Sequence, residues 1–141
     1  MGRYDDLLYA LIKRGLRQSF EKLGNREIEE EIRRYANIPY DYLDFLQEIG
    51  YGEIGEGYFM LYSGLIKPSE IFNADKADKL RDILFIGDDF NGRCIGFVIA
   101  GVWELVEVDE YQKVTFLNTS FENFIRNKIE EYFNMAYKLN R

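Results

Sequence analysis

The residues of this chain best suited to chemistry are carboxylates. Asp88 and Asp89 are adjacent, and two nearby carboxylates can divide acid and base roles or hold a divalent ion. Adjacency works against both uses, because neighbouring strand residues point to opposite faces of a sheet. A calcium loop needs oxygen ligands at alternating positions and a closing Glu; Asp89, Asn91 and Gly92 supply part of that pattern before Arg93 interrupts it. Histidine is absent from all 141 residues. That removes the commonest general base, the commonest transition-metal ligand and every His-dependent nucleophile. Gly50, Gly52, Gly55 and Gly57 are dense enough to cradle phosphate, but no Lys or Ser/Thr follows in P-loop spacing, and Glu53 and Glu56 sit inside the loop. Cys94 opens an apolar run to Ile99 and reads as a small buried hydrophobe rather than a reactive thiol. The expectation is a chain with no catalytic residue, no metal and no cofactor. A carboxylate-dependent hydrolase built on Asp88 and Asp89 is the competing reading.

Binding chemistry is better supplied. The net charge is −7, and it is uneven: residues 1–26 sum to +3 and residues 27–141 to −10. Such a surface repels phosphate backbones and steers basic proteins, so direct nucleic-acid binding is disfavoured and a basic protein partner is favoured. Tyr51, Glu53, Glu56 and Tyr58, together with Asp88, Asp89 and Asn91, make an acidic, aromatic-edged surface matched to a basic cleft. The plainer reading is that Asp88 and Asn91 hydrogen-bond their own hairpin while Tyr51 or Tyr58 packs inward. Glu104 and Glu107, with Asp109 and Glu110, form a second acidic set beside Trp103. The indole is an anchor if exposed, but its apolar neighbours favour core packing.

These side chains need a scaffold, and the length and composition provide one. Nearly half the residues are apolar, with eleven Tyr and eleven Phe, enough for one domain spanning 1–141 with a packed core. Tyr4, Leu7, Leu8, Leu11, Ile12, Leu16 and Leu23 predict a helix over 4–23. Ile28, Ile32, Tyr35 and Ala36 predict a second helix with an acidic start, and Pro39 opens a third that Gly50 ends. An irregular glycine-rich passage leads to a strand at 58–62. Residues 68–72 form a helical turn, and the mixed-charge stretch 73–82 lies on the surface. Runs 83–86 and 94–100 are apolar throughout, as befits central strands covered on both faces, with Asn91-Gly92 turning between them. The alternation slips between Leu105 and Val106, which predicts a bulge or a strand buried on two sides. Val114 to Leu117 completes a further hairpin. Thr119 and Glu122 have capping-box spacing ahead of an amphipathic helix running through Tyr137. Turns this short forbid parallel crossovers, so the fold class is α+β: an antiparallel sheet packed by N-terminal helices and a C-terminal helix. No stretch has the form of a secretory signal or a membrane span, which points to the cytoplasm and away from membranes.

Three landmarks recur in order: Ile38-Pro39 with Asp41-Tyr42, Phe45-Leu46 and Gly50-x-Gly52; Ile86-Gly87-Asp88-Asp89 with Asn91-Gly92; and Ser120-Phe121-Glu122-x-Phe124. From about residue 27 to 133 their combination resembles the SUKH superfamily, which includes yeast cell-wall regulators and bacterial immunity proteins. Two departures stand out: Arg93 replaces an acidic residue common after the turn glycine, and residues 1–24 add an N-terminal helix. The resemblance implies a non-enzymatic antitoxin that binds a cognate toxin domain, often a nuclease, and occludes its active site. The alternative it implies is a regulatory scaffold that recruits cellular proteins.

Overall fold

The computed structural model describes residues 2–139. Among them, in chain order, are helix α1 (Asp5–Lys13), strand β1 (Phe20–Glu21), α2 (Asn25–Arg34), α3 (Tyr40–Glu48), β2 (Tyr51–Ile54), β3 (Phe59–Ile66) and α4 (Ala74–Lys79). There follow β4 (Ile83–Asp88), β5 (Cys94–Val98), β6 (Glu104–Val108), β7 (Val114–Phe116) and α5 (Phe121–Leu139). The seven strands form one antiparallel meander in sequence order, with β4 at its centre. The α+β class and its antiparallel sheet are therefore as expected.

Alternation along each strand sorts side chains onto two faces. On one face Leu61, Leu84, Ile86, Ile95, Phe97 and Leu105 join α1, α2, α3 and α5 in the larger core. Tyr42 and Phe121 meet edge to face at 5.2 Å, and Phe45 and Phe121 at 5.8 Å, so α3 and α5 lock together through aromatic rings. Burying one such ring contributes about 1.5–3 kcal/mol. On the opposite face Phe85, Cys94, Val106 and Val108 form a smaller cluster, capped by Leu80 just after α4 and by Phe72.

The first helix is shorter than its apolar spacing predicts. It stops at Lys13, and Gly15 takes φ +72°, a left-handed conformation that a helix cannot continue through. The chain then makes a single 3₁₀ turn and adds β1, whose Phe20 and Glu21 pair with Gly52 and Tyr51. The first part of the glycine-rich passage is a strand, β2, whose one glycine, Gly52, lets the Ser19 carbonyl approach to where a Cβ would sit. Stretch 73–82 is not all surface: Asn73 Oδ1 accepts the Lys76 N–H and starts α4, which buries Ala77. No bulge occurs at Leu105–Val106. Pairing with β5 is continuous from Glu104 to Val108, and the apparent slip is a strand covered on both faces, with Leu105 in one cluster and Val106 in the other. The register shifts instead lie between Leu61 and Ile66 and between Phe85 and Gly87. The cap of α5 is Ser120, whose Oγ accepts the Asn123 N–H, one residue beyond the Thr119 expected from capping-box spacing.

Candidate protein-binding surface at the hairpin end

An antiparallel meander places alternate turns at the same end of the sheet. The β2–β3, β4–β5 and β6–β7 turns therefore share one edge, and the acidic residues cluster in them. Register sets the spacing: Glu53 pairs with Met60, and Met60 with Asp88, so Glu53 and Asp88 lie two strands apart on one face, roughly 10 Å. The next turn is close as well, since a Cβ on Gly92 would sit 3.4 Å from the Glu110 Cβ.

Two of these turns are built the same way. Asp89 Oδ1 accepts the N–H groups of Asn91 (2.8 Å) and Arg93 (3.1 Å). Asp109 Oδ1 accepts those of Tyr111 (2.9 Å) and Lys113 (2.9 Å). Each aspartate tethers its turn from inside, and each turn closes with a base, Arg93 or Lys113. Asp88 is similarly engaged: Oδ1 accepts the Phe90 N–H at 2.9 Å and Oδ2 accepts the Tyr62 hydroxyl at 2.6 Å. Burial, followed by the bond to Asp88, raises the Tyr62 pKa. Burial first, then Asp88 and Asp89, pushes the Cys94 thiol up to about 11, so it stays protonated and weakly nucleophilic at neutral pH. In the first turn Glu53 Oε1 accepts the Gly57 N–H at 2.9 Å. The plainer reading thus applies to Asp88, and Asp89 and Glu53 act likewise: their carboxylates shape turns while still presenting charge at the edge. Asn91 enters through its backbone N–H.

The expected aromatic edge is made of other residues. Tyr58 turns to the helix side, where its ring lies 5.6 Å from that of Tyr132 and its hydroxyl donates to Glu131. Burial and that bond push its pKa up to about 12. Tyr51 donates to Glu21 at 2.6 Å beside the outermost strand. The exposed rings at the turns are Phe90, at 47 % exposure, and Tyr111, at 81 %. Periodicity overlooks both because they occupy turns, yet a ring set among polar turn residues, Asp89 and Asn91 for Phe90 and Glu110 and Gln112 for Tyr111, is not placed to enter the core. Phe90 also adopts φ +67°, an uncommon conformation for a bulky residue.

The second acidic set does not form one surface. Glu104 pairs with Val98 at the far end of β6, away from the turns. Glu107 is on the other face, in a cleft with Phe124, Asn127 and Lys128. Trp103 is buried, 8 % exposed, and packs edge to face on Tyr35 at 5.9 Å. The structure therefore brings Glu53, Glu56, Asp88, Asp89 and Asn91 to one end with Asp109 and Glu110, and separates Tyr51, Tyr58, Glu104 and Glu107 from it.

Among the described residues, no three His, Cys, Asp or Glu side chains converge as a metal-binding group, and no helix is long and apolar enough to cross a membrane. No protein-family model, curated protein or solved structure matches the chain.

Proposed function

We propose that this chain is a bacterial immunity protein: it binds a basic toxin domain, of which a nuclease is the best-matched class, and blocks its active cleft without turnover. A cytoplasmic location fits that role. The observation that carries the reading is the edge where three turns present Glu53, Glu56, Asp88, Asp89, Asp109 and Glu110 around the exposed rings of Phe90 and Tyr111. Carboxylates steer association with a cationic surface, and desolvated aromatic rings supply most of the lasting energy of such contacts. The ordered landmarks shared with SUKH proteins add support. Two of those landmarks lie at the α3–α5 junction and the third is the β4–β5 hairpin of the edge itself.

The decisive experiment pairs the chain with the toxin domain encoded beside its gene. Co-expression is expected to rescue growth, and the purified proteins to elute as a one-to-one complex. Reversing Glu53 and Glu56 to Lys should slow association about tenfold at low salt and flatten its salt dependence. Undiminished killing with no complex would end the reading.

A further inference from the structure

We propose that the apolar groove on the sheet face opposite α1, α2, α3 and α5 receives an arginine side chain from an extended segment of a partner protein. This rests on the protein-binding reading above and specifies the chemistry that the sheet face adjoining that edge recognises. The groove has a volume of about 470 Å³ and is lined by Tyr51, Met60, Tyr62, Ser63, Ile66 and Ile71, a size in the range of built ligand sites.

Register explains its walls. Glu53, Met60 and Asp88 form one row across β2, β3 and β4. One step along, Glu21 opposes Tyr51 on the neighbouring strand. Apolar floor and carboxylate rim are therefore interleaved: Met60, Ile66 and Ile71 offer packing surface, and Glu21, Glu53 and Asp88 stand around it. Two hydrogen bonds hold the aromatic walls in place, Tyr51 to Glu21 and Tyr62 to Asp88, both 2.6 Å. Each hydroxyl is thereby committed to an acid, which leaves the ring faces as the surface available to a guest.

No Lys or Arg lines the groove. The groups bonded to its two tyrosines, Glu21 and Asp88, are carboxylates, and each oxygen keeps lone-pair capacity beyond the bond it already makes. An apolar segment alone would pack on the floor without engaging these acids, whereas an arginine uses both parts. Its methylene stem packs on the aliphatic floor, its plane stacks on tyrosine, and its five donors reach the rim. Lysine meets the charge requirement but not the planar one.

The test titrates the ¹⁵N-labelled full chain with the peptide acetyl-Gly-Leu-Arg-Leu-Gly-amide, following amide shifts. Shifts are expected at Tyr51, Met60, Tyr62 and Ile66. Binding should weaken about tenfold when citrulline replaces the peptide arginine, because the shape remains and the charge is gone. Ile71 is partly exposed, so Ile71→Lys leaves the fold intact while adding a like charge, and it should weaken binding by a similar factor. Shifts confined to residues 89–93 and 109–113, or equal binding of the citrulline peptide, would overturn the proposal. So would a dimer, detected by sedimentation, that Ile71→Lys dissociates, because it assigns the groove to a second copy. The peptide titration needs no toxin, so it judges the groove even if co-expression gives no protection. Toxin protection unchanged by Ile71→Lys, with no peptide binding, would remove the groove and leave the immunity reading standing.

Discussion

Asp41 and Asp89 do the same local work in opposite surroundings. Asp41 Oδ1 accepts the N–H of Tyr42 at 2.9 Å, and its Oδ2 accepts that of Glu122 at 3.0 Å, so one carboxylate binds the first turns of both α3 and α5. Around it Tyr42, Phe45 and Phe121 are buried, Tyr4 donates its hydroxyl to the Asp41 carbonyl, and Arg3 bridges Asp44 and Glu122. Asp89 accepts two N–H groups as well, but both come from its own turn, and its neighbour Phe90 is half exposed. The junction spends its polar and aromatic groups on joining segments distant in sequence. The hairpin edge completes its hydrogen bonds locally and so can face outward. This difference separates the part of the chain that holds the fold from the part open to a partner.

The largest effect should come from truncating the rings. Phe121→Ala removes a ring packed on Tyr42 and Phe45 and should cost about 3–5 kcal/mol in chemical denaturation. Phe90→Ala should change stability by no more than about 1 kcal/mol while weakening the proposed toxin complex at least tenfold. Equal losses of stability at the two positions would erase the distinction.

The two aspartates offer a finer version. Asp41→Ala leaves two helix-start N–H groups without their acceptor and should cost about 2 kcal/mol, read as a shift of the urea midpoint. Asp89→Ala exposes its freed N–H groups to water and should cost about 1 kcal/mol or less. An Asp89→Ala penalty matching that of Asp41→Ala would show that the turn is as much a keystone as the junction.

A smaller effect concerns α2, on the junction side. A Glu31 carboxylate oxygen and the Tyr42 hydroxyl are buried without a hydrogen-bond partner. Burial raises the Glu31 pKa, with Arg34 opposing and Glu30 adding to the rise. A folded pKa above the unfolded one means that the contribution of Glu31 is fully present below its unfolded pKa and is lost as pH rises through the folded value. Glu31→Gln should therefore stabilise the protein at pH 7, by at most about 1 kcal/mol, and flatten the acidic limb of its stability profile. A lower melting temperature for Glu31→Gln at pH 7 would contradict this account.

Much of the fold was legible because its signals are local. Pro39 before an apolar stripe, the unbroken apolar runs of β4 and β5, and the spacing from Phe121 to Tyr137 each specify an element without reference to distant residues. Gly15 was the exception among helix signals: the apolar spacing ran through it, and only its left-handed backbone, with β1 pairing to β2, ended the helix early. β2 escaped notice because it is four residues long, with Gly52 inside it and Gly50 and Gly55 at its ends.

The amino-acid sequence alone determined the composition of the candidate surface: carboxylates in turns, an acidic body, and no histidine. Tertiary structure decided which of those carboxylates meet. Strand order carried Glu53, Asp88 and Asp109 to one edge and put Glu104 at the other end. The two-residue alternation sent Glu107 to the opposite face, and packing against Tyr132 turned Tyr58 inward. Local chemistry selects residue types, but the sharing of a surface depends on register between segments far apart in the chain, and register is set only when the whole sheet closes on its core.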